Sequence, residues 1–146
     1  MKITLERQND AVHLVAHNTE GNTLVMDGAE SIGGENAGFR PMQVLLAALA
    51  GCASMDLVPI LKKKRQELHT LRVEISGERA EGKTPAPFTS IHLHFVMHGE
   101  IEDKQAARAV ELSVEKFCSV KESLNPDIVV THSYALNEER GSSEGA

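Results

Sequence analysis

The sequence predicts an α+β chain built on antiparallel sheet, and three observations carry that expectation. Short runs of alternating apolar and polar residues stand near both ends. One long apolar helix separates them. The order is strands, helix, strands, helix, strand, which is not the βαβ alternation of a parallel sheet. With 146 residues the chain can bury a core as a single domain, assigned to residues 1–136, with 137–146 as a polar, disordered tail. Hydrophobic residues at 41% and charged residues at 25% suit a soluble globular protein.

Taken in order, residues 2–8 place Ile3 and Leu5 on one face, and residues 11–17 do the same with Val12, Leu14 and Ala16. Asn9-Asp10 between them reads as a tight turn, so the pair is a hairpin. Residues 23–27 make a third short strand. The stretch Gly28–Phe39 carries four glycines and reads as a mobile loop, either a flap beside a pocket or a plain connector. It has no GxGxxG or Walker spacing, so a phosphate cradle is not expected.

Pro41 suits the first position of a helix, where its missing N–H would have no partner anyway. The helical pattern runs from Met42 to about Gln66, with a bend expected at Pro59. The basic run Lys62–Arg65 reads as its solvated end, where cations suit the dipole. Residues 42–61 have about the ~20 residues a membrane span needs, but Gln43, Asp56 and Pro59 interrupt them and no span is expected. A helix apolar on every side must be buried on every side. One small sheet covers one face, so a second subunit is expected on the other.

Beyond the helix, Thr70–Arg79 alternates through Leu71, Val73 and Ile75, and residues 80–87 form a Pro- and Gly-containing loop. Phe88–His98 puts Ile91, Leu93, Phe95 and Met97 on one strand face. Glu102 or Asp103 can cap a helix with Ala106, Val110, Val114 and Phe117 on one side. Ser119 and Glu122 stand at capping-box spacing for a short helix, Val120 to Leu124. Asp127–Leu136 is the last strand.

Several function classes drop out. A formal charge of −6 and 3% aromatics without Trp disfavour both a phosphate-backbone partner and a single-strand stacking platform. The N-terminus lacks an apolar signal region, and two cysteines suit a reducing, cytoplasmic compartment. His92, His94 and His98 share a strand face, but no HExxH or His/Glu set completes a site, so a solvent-facing or interface role is expected and no metal.

The cysteines hold most of the chemistry. Cys52 lies inside the apolar helix and reads either as a small buried hydrophobe or as a nucleophile. The second reading needs a thiolate, hence a nearby cation or donor, since burial alone favours the thiol. The start of its own helix lies ~16 Å away along the axis, too far for the dipole to act. Across an antiparallel dimer the partner's helix start could approach instead. Cys118 precedes Ser119 and so lies beside the N–H groups of a helix start, a place that favours an attacking or resolving thiolate.

With these residues in view the chain resembles the OsmC/Ohr superfamily. The matching segments are Arg40-Pro41, Leu45–Cys52 (Leu-Leu-Ala-Ala-Leu-Ala-Gly-Cys), Leu71–Gly77, Pro87–Phe95 and Glu115-Lys-Phe-Cys118-Ser-Val, in family order over about residues 1–136. The resemblance implies an OsmC-like fold, an intertwined homodimer with curved sheets around two central helices. It implies reduction of organic hydroperoxides, with Cys52 peroxidatic, Cys118 resolving and an arginine activating Cys52. Arg7 and Arg40 are the candidates, and Arg40 is preferred. Leu45, Leu49, Phe39 and Phe117 would wall an apolar substrate site. An external dithiol, a dihydrolipoyl protein in the family, would reopen the disulfide, and no cofactor is needed. Met42 departs from the pattern, because well-characterised members carry a Glu there that orients the arginine. That departure keeps two other readings open: a binder of an apolar small molecule on the same scaffold, and a redox sensor without turnover.

Overall fold

A computed structural model describes residues 1–139. Its contacts divide the chain into two compact units, Met1–Leu45 and the remainder from Leu46, where one domain over 1–136 was expected. The two sheets explain the division, because each is a closed three-stranded set with no strand shared between them.

The first unit holds β1 (Thr4–Arg7), β2 (Leu14–His17) and β3 (Thr23–Met26), paired antiparallel in that order. Asn9 makes the first turn by accepting the N–H of Ala11 and His13 on its side-chain oxygen, at 3.0 and 3.1 Å. Asn18 makes the second in the same way, accepting from Asn22 at 2.8 Å.

The stretch after β3 is not the mobile loop expected of its glycines. The buried carboxylate of Asp27 accepts the backbone N–H of Gly28, Glu35 and Ala37 at 2.8, 3.0 and 3.1 Å, closing the loop around one side chain. A 3₁₀ turn, Glu30–Ile32, fills its middle. Gly34 is required there, because a Cβ would stand 1.8 Å from the carbonyl oxygen of Gly28. The far end returns to β3, with Phe39 N–H donating to Val25 O at 3.1 Å and Asp27 N–H to Phe39 O at 3.0 Å.

α1 (Pro41–Lys63) starts at the expected proline and runs helical through Pro59 to its basic end. It closes with Gln66 N–H bonded to Leu61 O at 2.9 Å and Arg65 N–H to Lys62 O at 3.0 Å, a Schellman motif with Arg65 at φ 57 in the left-handed position. By length and composition this helix could cross a membrane. Within the chain one stripe of it is buried, Leu49, Ala53, Leu57 and Leu61, spaced four apart. Met55 is 79% and Val58 46% exposed on other faces.

The second unit's sheet is β4 (Glu67–Arg79), β5 (Phe88–Glu100) and β6 (Val129–Leu136). β4 and β5 pair antiparallel, but β6 runs parallel to β5, against the all-antiparallel expectation. The reason is the long connection. α2 (Asp103–Glu111), a π-helical turn at Leu112–Lys116 and α3 (Ser119–Glu122) carry the chain back across the sheet before β6 begins. Ile91, Leu93, Phe95 and Met97 are buried as the alternation predicted, and Ala106, Ala109, Val110 and Val114 join them in the core. Gly77 leaves room for Phe88, whose ring carbon would lie 2.6 Å from a Cβ there.

Position 137, where a disordered tail was expected to begin, is tied to the sheet. Asn137 donates its N–H to Met97 O and exchanges two side-chain hydrogen bonds with the backbone of Gly99, each at 2.9 Å. Residues 140–146 lie outside the described residues.

The Glu35 and Ala37 amides hold the Asp27 carboxyl below its ordinary range, with burial opposing them and the Gly28 amide and His13 adding to the fall. A carboxyl lowered by folding contributes stability that is complete above its unfolded value, near pH 4, and lost as pH falls through the folded value. Hydrogen exchange tests this. In Asp27→Ala the Glu35 and Ala37 amides should exchange about tenfold faster at neutral pH, and in the native chain their protection should be lost only as pH falls below the ordinary carboxylate range. Unchanged exchange in the variant would contradict the account of the loop.

Candidate functional site

The two cysteines are brought together by the second unit. Cys52 sits half-buried in α1, one residue before Ala53 of the buried stripe. Cys118 is 5% exposed and lies in the joint between the π-helical turn and α3. Both are free thiols.

Cys118 is itself the N-cap of α3, the position that sequence spacing gave to Ser119. Its backbone is extended (φ −75, ψ 103), and its Sγ accepts the N–H of Lys121 at 3.4 Å. The helix therefore runs Ser119–Glu122, one residue earlier than expected, and Glu122 spends its N–H on the Cys118 carbonyl at 3.1 Å. An unpaired donor at a helix start is satisfied here by sulfur rather than by a hydroxyl.

Burial pushes the Cys118 thiol above its ordinary range. The Lys121 amide pulls against that, the neighbouring Cys52 thiol adds to the rise through hydrogen bonding and charge, and the Val120 amide lowers it slightly. None of these contributions comes from a cationic side chain. In the resting chain these influences together favour the thiol form of Cys118 beside Cys52.

The π-helical turn explains one difference. Phe117 N–H bonds to Leu112 O at 3.1 Å, five residues back. The added residue rotates the helix face. Phe117, expected on the buried side, is 47% exposed, with the Lys116 ammonium 5.4 Å from its ring. Of the other residues expected to wall the site, Leu49 is buried, Leu45 half-buried and Phe39 51% exposed.

Arg40 stands immediately before α1, roughly three helical turns ahead of Cys52. Its backbone caps the helix: its N–H donates to Gln43 Oε1 at 2.9 Å and its carbonyl accepts from Val44 at 3.0 Å. Its guanidinium Nη1 is buried with no hydrogen-bond partner among the described residues.

The strand histidines form a polar layer instead of a chelate. His92 lies 2.7 Å from Thr131 Oγ1 and 2.8 Å from Ser133 Oγ, which is also 2.8 Å from His94 Nδ1. His98 donates Nε2–H to the Glu138 carbonyl at 2.7 Å. Among the described residues no group of three His, Cys, Asp or Glu side chains is placed to hold a metal.

Sequence reasoning missed Glu115. Its carboxylate accepts from Lys121 Nζ at 2.8 Å and lies 3.7 Å from His132 Nε2 on β6. A spacing of six residues matches no helical pair rule, so no pattern marks it. Glu115 also borders a depression of about 950 Å³ lined by Lys64, Lys104, Arg108, Glu111 and Tyr134. Neither cysteine lines that depression.

Comparison with known proteins follows the same outline. A family model described as OsmC-like protein matches residues 33–133. Protein YhfA of Escherichia coli K12 is 38% identical over 131 residues, covering 87% of this chain and 92% of that protein. The crystal structure of a hypothetical protein from Aquifex aeolicus VF5 is 30% identical with a TM-score of 0.76, covering 94% of this chain and 97% of that one. An organic hydroperoxide resistance protein OsmC from Legionella pneumophila shares the fold, with a TM-score of 0.68 at 16% identity, over 92% of this chain and 97% of its own.

The opposing influences on Cys118 give a direct test. In Cys52→Ala the contribution of the neighbouring thiol is gone, so the Cys118 titration followed by thiolate absorbance should move to lower pH. No movement would show that the two sulfurs do not interact.

Proposed function

The chain belongs to the OsmC-like protein family, and on that premise we propose that it is a cytoplasmic thiol peroxidase acting on organic hydroperoxides. The observation that carries the reading is that Cys52 and Cys118 are neighbours within one unit, with Cys118 at the cap of α3. The printed name of the Legionella relative, an organic hydroperoxide resistance protein, supports the substrate class.

The chemistry follows from the two sulfurs. Cys52 thiolate attacks the outer peroxide oxygen, the O–O bond breaks, and the leaving alkoxide takes a proton to become an alcohol. Cys52 is left as a sulfenic acid. Cys118 sulfur then attacks it, water leaves, and a Cys52–Cys118 disulfide remains. An external dithiol, a dihydrolipoyl protein in this reading, reopens it by exchange. No metal or organic cofactor takes part.

Two further elements belong to the proposal. The first is a homodimer. α1 leaves Met55 and Val58 uncovered, and a second copy of the chain would bury them. The second is activation by Arg40. Its Nη1 has no hydrogen-bond partner among the described residues, and because that nitrogen is buried, serving a Cys52 thiolate requires the side chain to swing out on assembly. Met42, in place of the glutamate that orients this arginine in characterised relatives, favours the second reading, a non-enzymatic binder of an apolar small molecule.

Intact-mass and peptide mass spectrometry after one equivalent of cumene hydroperoxide separates the two. The peroxidase reading expects a Cys52–Cys118 disulfide that is absent in Cys52→Ser. Two persistently free thiols would leave the binder.

A further inference from the structure

Cys118 occupies a joint of only two residues, Phe117 and Cys118, between the π-helical turn at Leu112–Lys116 and α3 at Ser119–Glu122. Within that joint the backbone N–H of Lys121 is bonded to Sγ, so the sulfur's position depends on where α3 sits. α3 has one turn, too short to be stable by itself. Something must hold it against the preceding turn.

We propose that Glu115 is a positioning residue for Cys118, acting as a clamp that spans the joint through Lys121 and anchors it to β6 through His132. One carboxylate oxygen takes Lys121 Nζ at 2.8 Å, and the other faces His132 Nε2 at 3.7 Å. The three groups come from the π-helical turn, α3 and the sheet, so the clamp ties together every element that borders Cys118 on the chain and the strand that follows. Lys121 makes both contacts, its ammonium to Glu115 and its amide to Cys118 Sγ. Holding the ammonium therefore holds the amide against the sulfur. Glu115 touches neither peroxide nor the reacting atoms.

The clamp's meaning for turnover rests on the two-cysteine reading above, but its existence does not, and the test uses no peroxide. In a Cys52→Ser background the rate of Cys118 alkylation by iodoacetamide is measured for Glu115→Gln and for Lys121→Met. Loosening the joint exposes a buried sulfur, so each variant should react about threefold to fivefold faster, the scale of a partly exposed ion pair. The pair of changes together should add nothing beyond either alone. Exchanging the partners, Glu115→Lys with Lys121→Glu, should restore the slow rate. A purely electrostatic influence would instead move the two single variants in opposite directions, because one removes an anion and the other a cation. Opposite shifts, unchanged rates, or no rescue by the exchanged pair would overturn the clamp. If these ratios hold while peroxide leaves both thiols free, the peroxidase reading falls and the clamp stands.

Discussion

The leucine and alanine stripe of α1 has to be buried, and the second unit is organised around that need. Leu49, Ala53, Leu57 and Leu61 are each fully buried. Each buried leucine contributes about 1.5–3 kcal/mol, enough that none can turn outward without a large loss. A helix fixed along one face has no freedom to rotate, and so the neighbour of Ala53, Cys52, is fixed with it. The buried face of β5 supplies the other half of the core, and the helices that follow β5 return the chain beside it. Cys118 is delivered to Cys52 by that return path.

What the joint adds is control of protonation. A thiol moved out of water resists ionisation, and amide N–H groups at a helix start oppose that resistance. At Cys118 the first effect is the larger. Such a sulfur holds its proton firmly and is a weak nucleophile until its surroundings change. The half-buried Cys52 and the buried Cys118 thus differ by local environment, not by residue type.

Much of this was legible in the residues, and the misses have physical causes. Alternation gave the faces of β5 correctly because a side-chain period of two is local information. It could not give the direction of β6, since a strand's pattern reads the same in either orientation. The glycines after β3 suggested mobility, while a single aspartate accepts three amides and ties the segment together; the Asp27-Gly28 pair looks like any turn. Ser119 was a better cap by type than Cys118, yet the sulfur occupies the position, because the π-helical turn shifts the helix start by one residue. That same shift turned Phe117 outward and set Glu115 opposite Lys121 at a spacing no regular helix uses. Arg40 was singled out by its neighbours in the chain, but only the structure shows the unpaired nitrogen.

Cys52 and Cys118 are neighbours in this fold, and equilibrium oxidation in a glutathione redox buffer measures most directly whether their sulfurs come close enough to bond. Neighbouring sulfurs predict an intramolecular Cys52–Cys118 disulfide as the dominant oxidised species, with little glutathione attached. A chain that instead accumulates glutathione on Cys52 and leaves Cys118 a free thiol would contradict it.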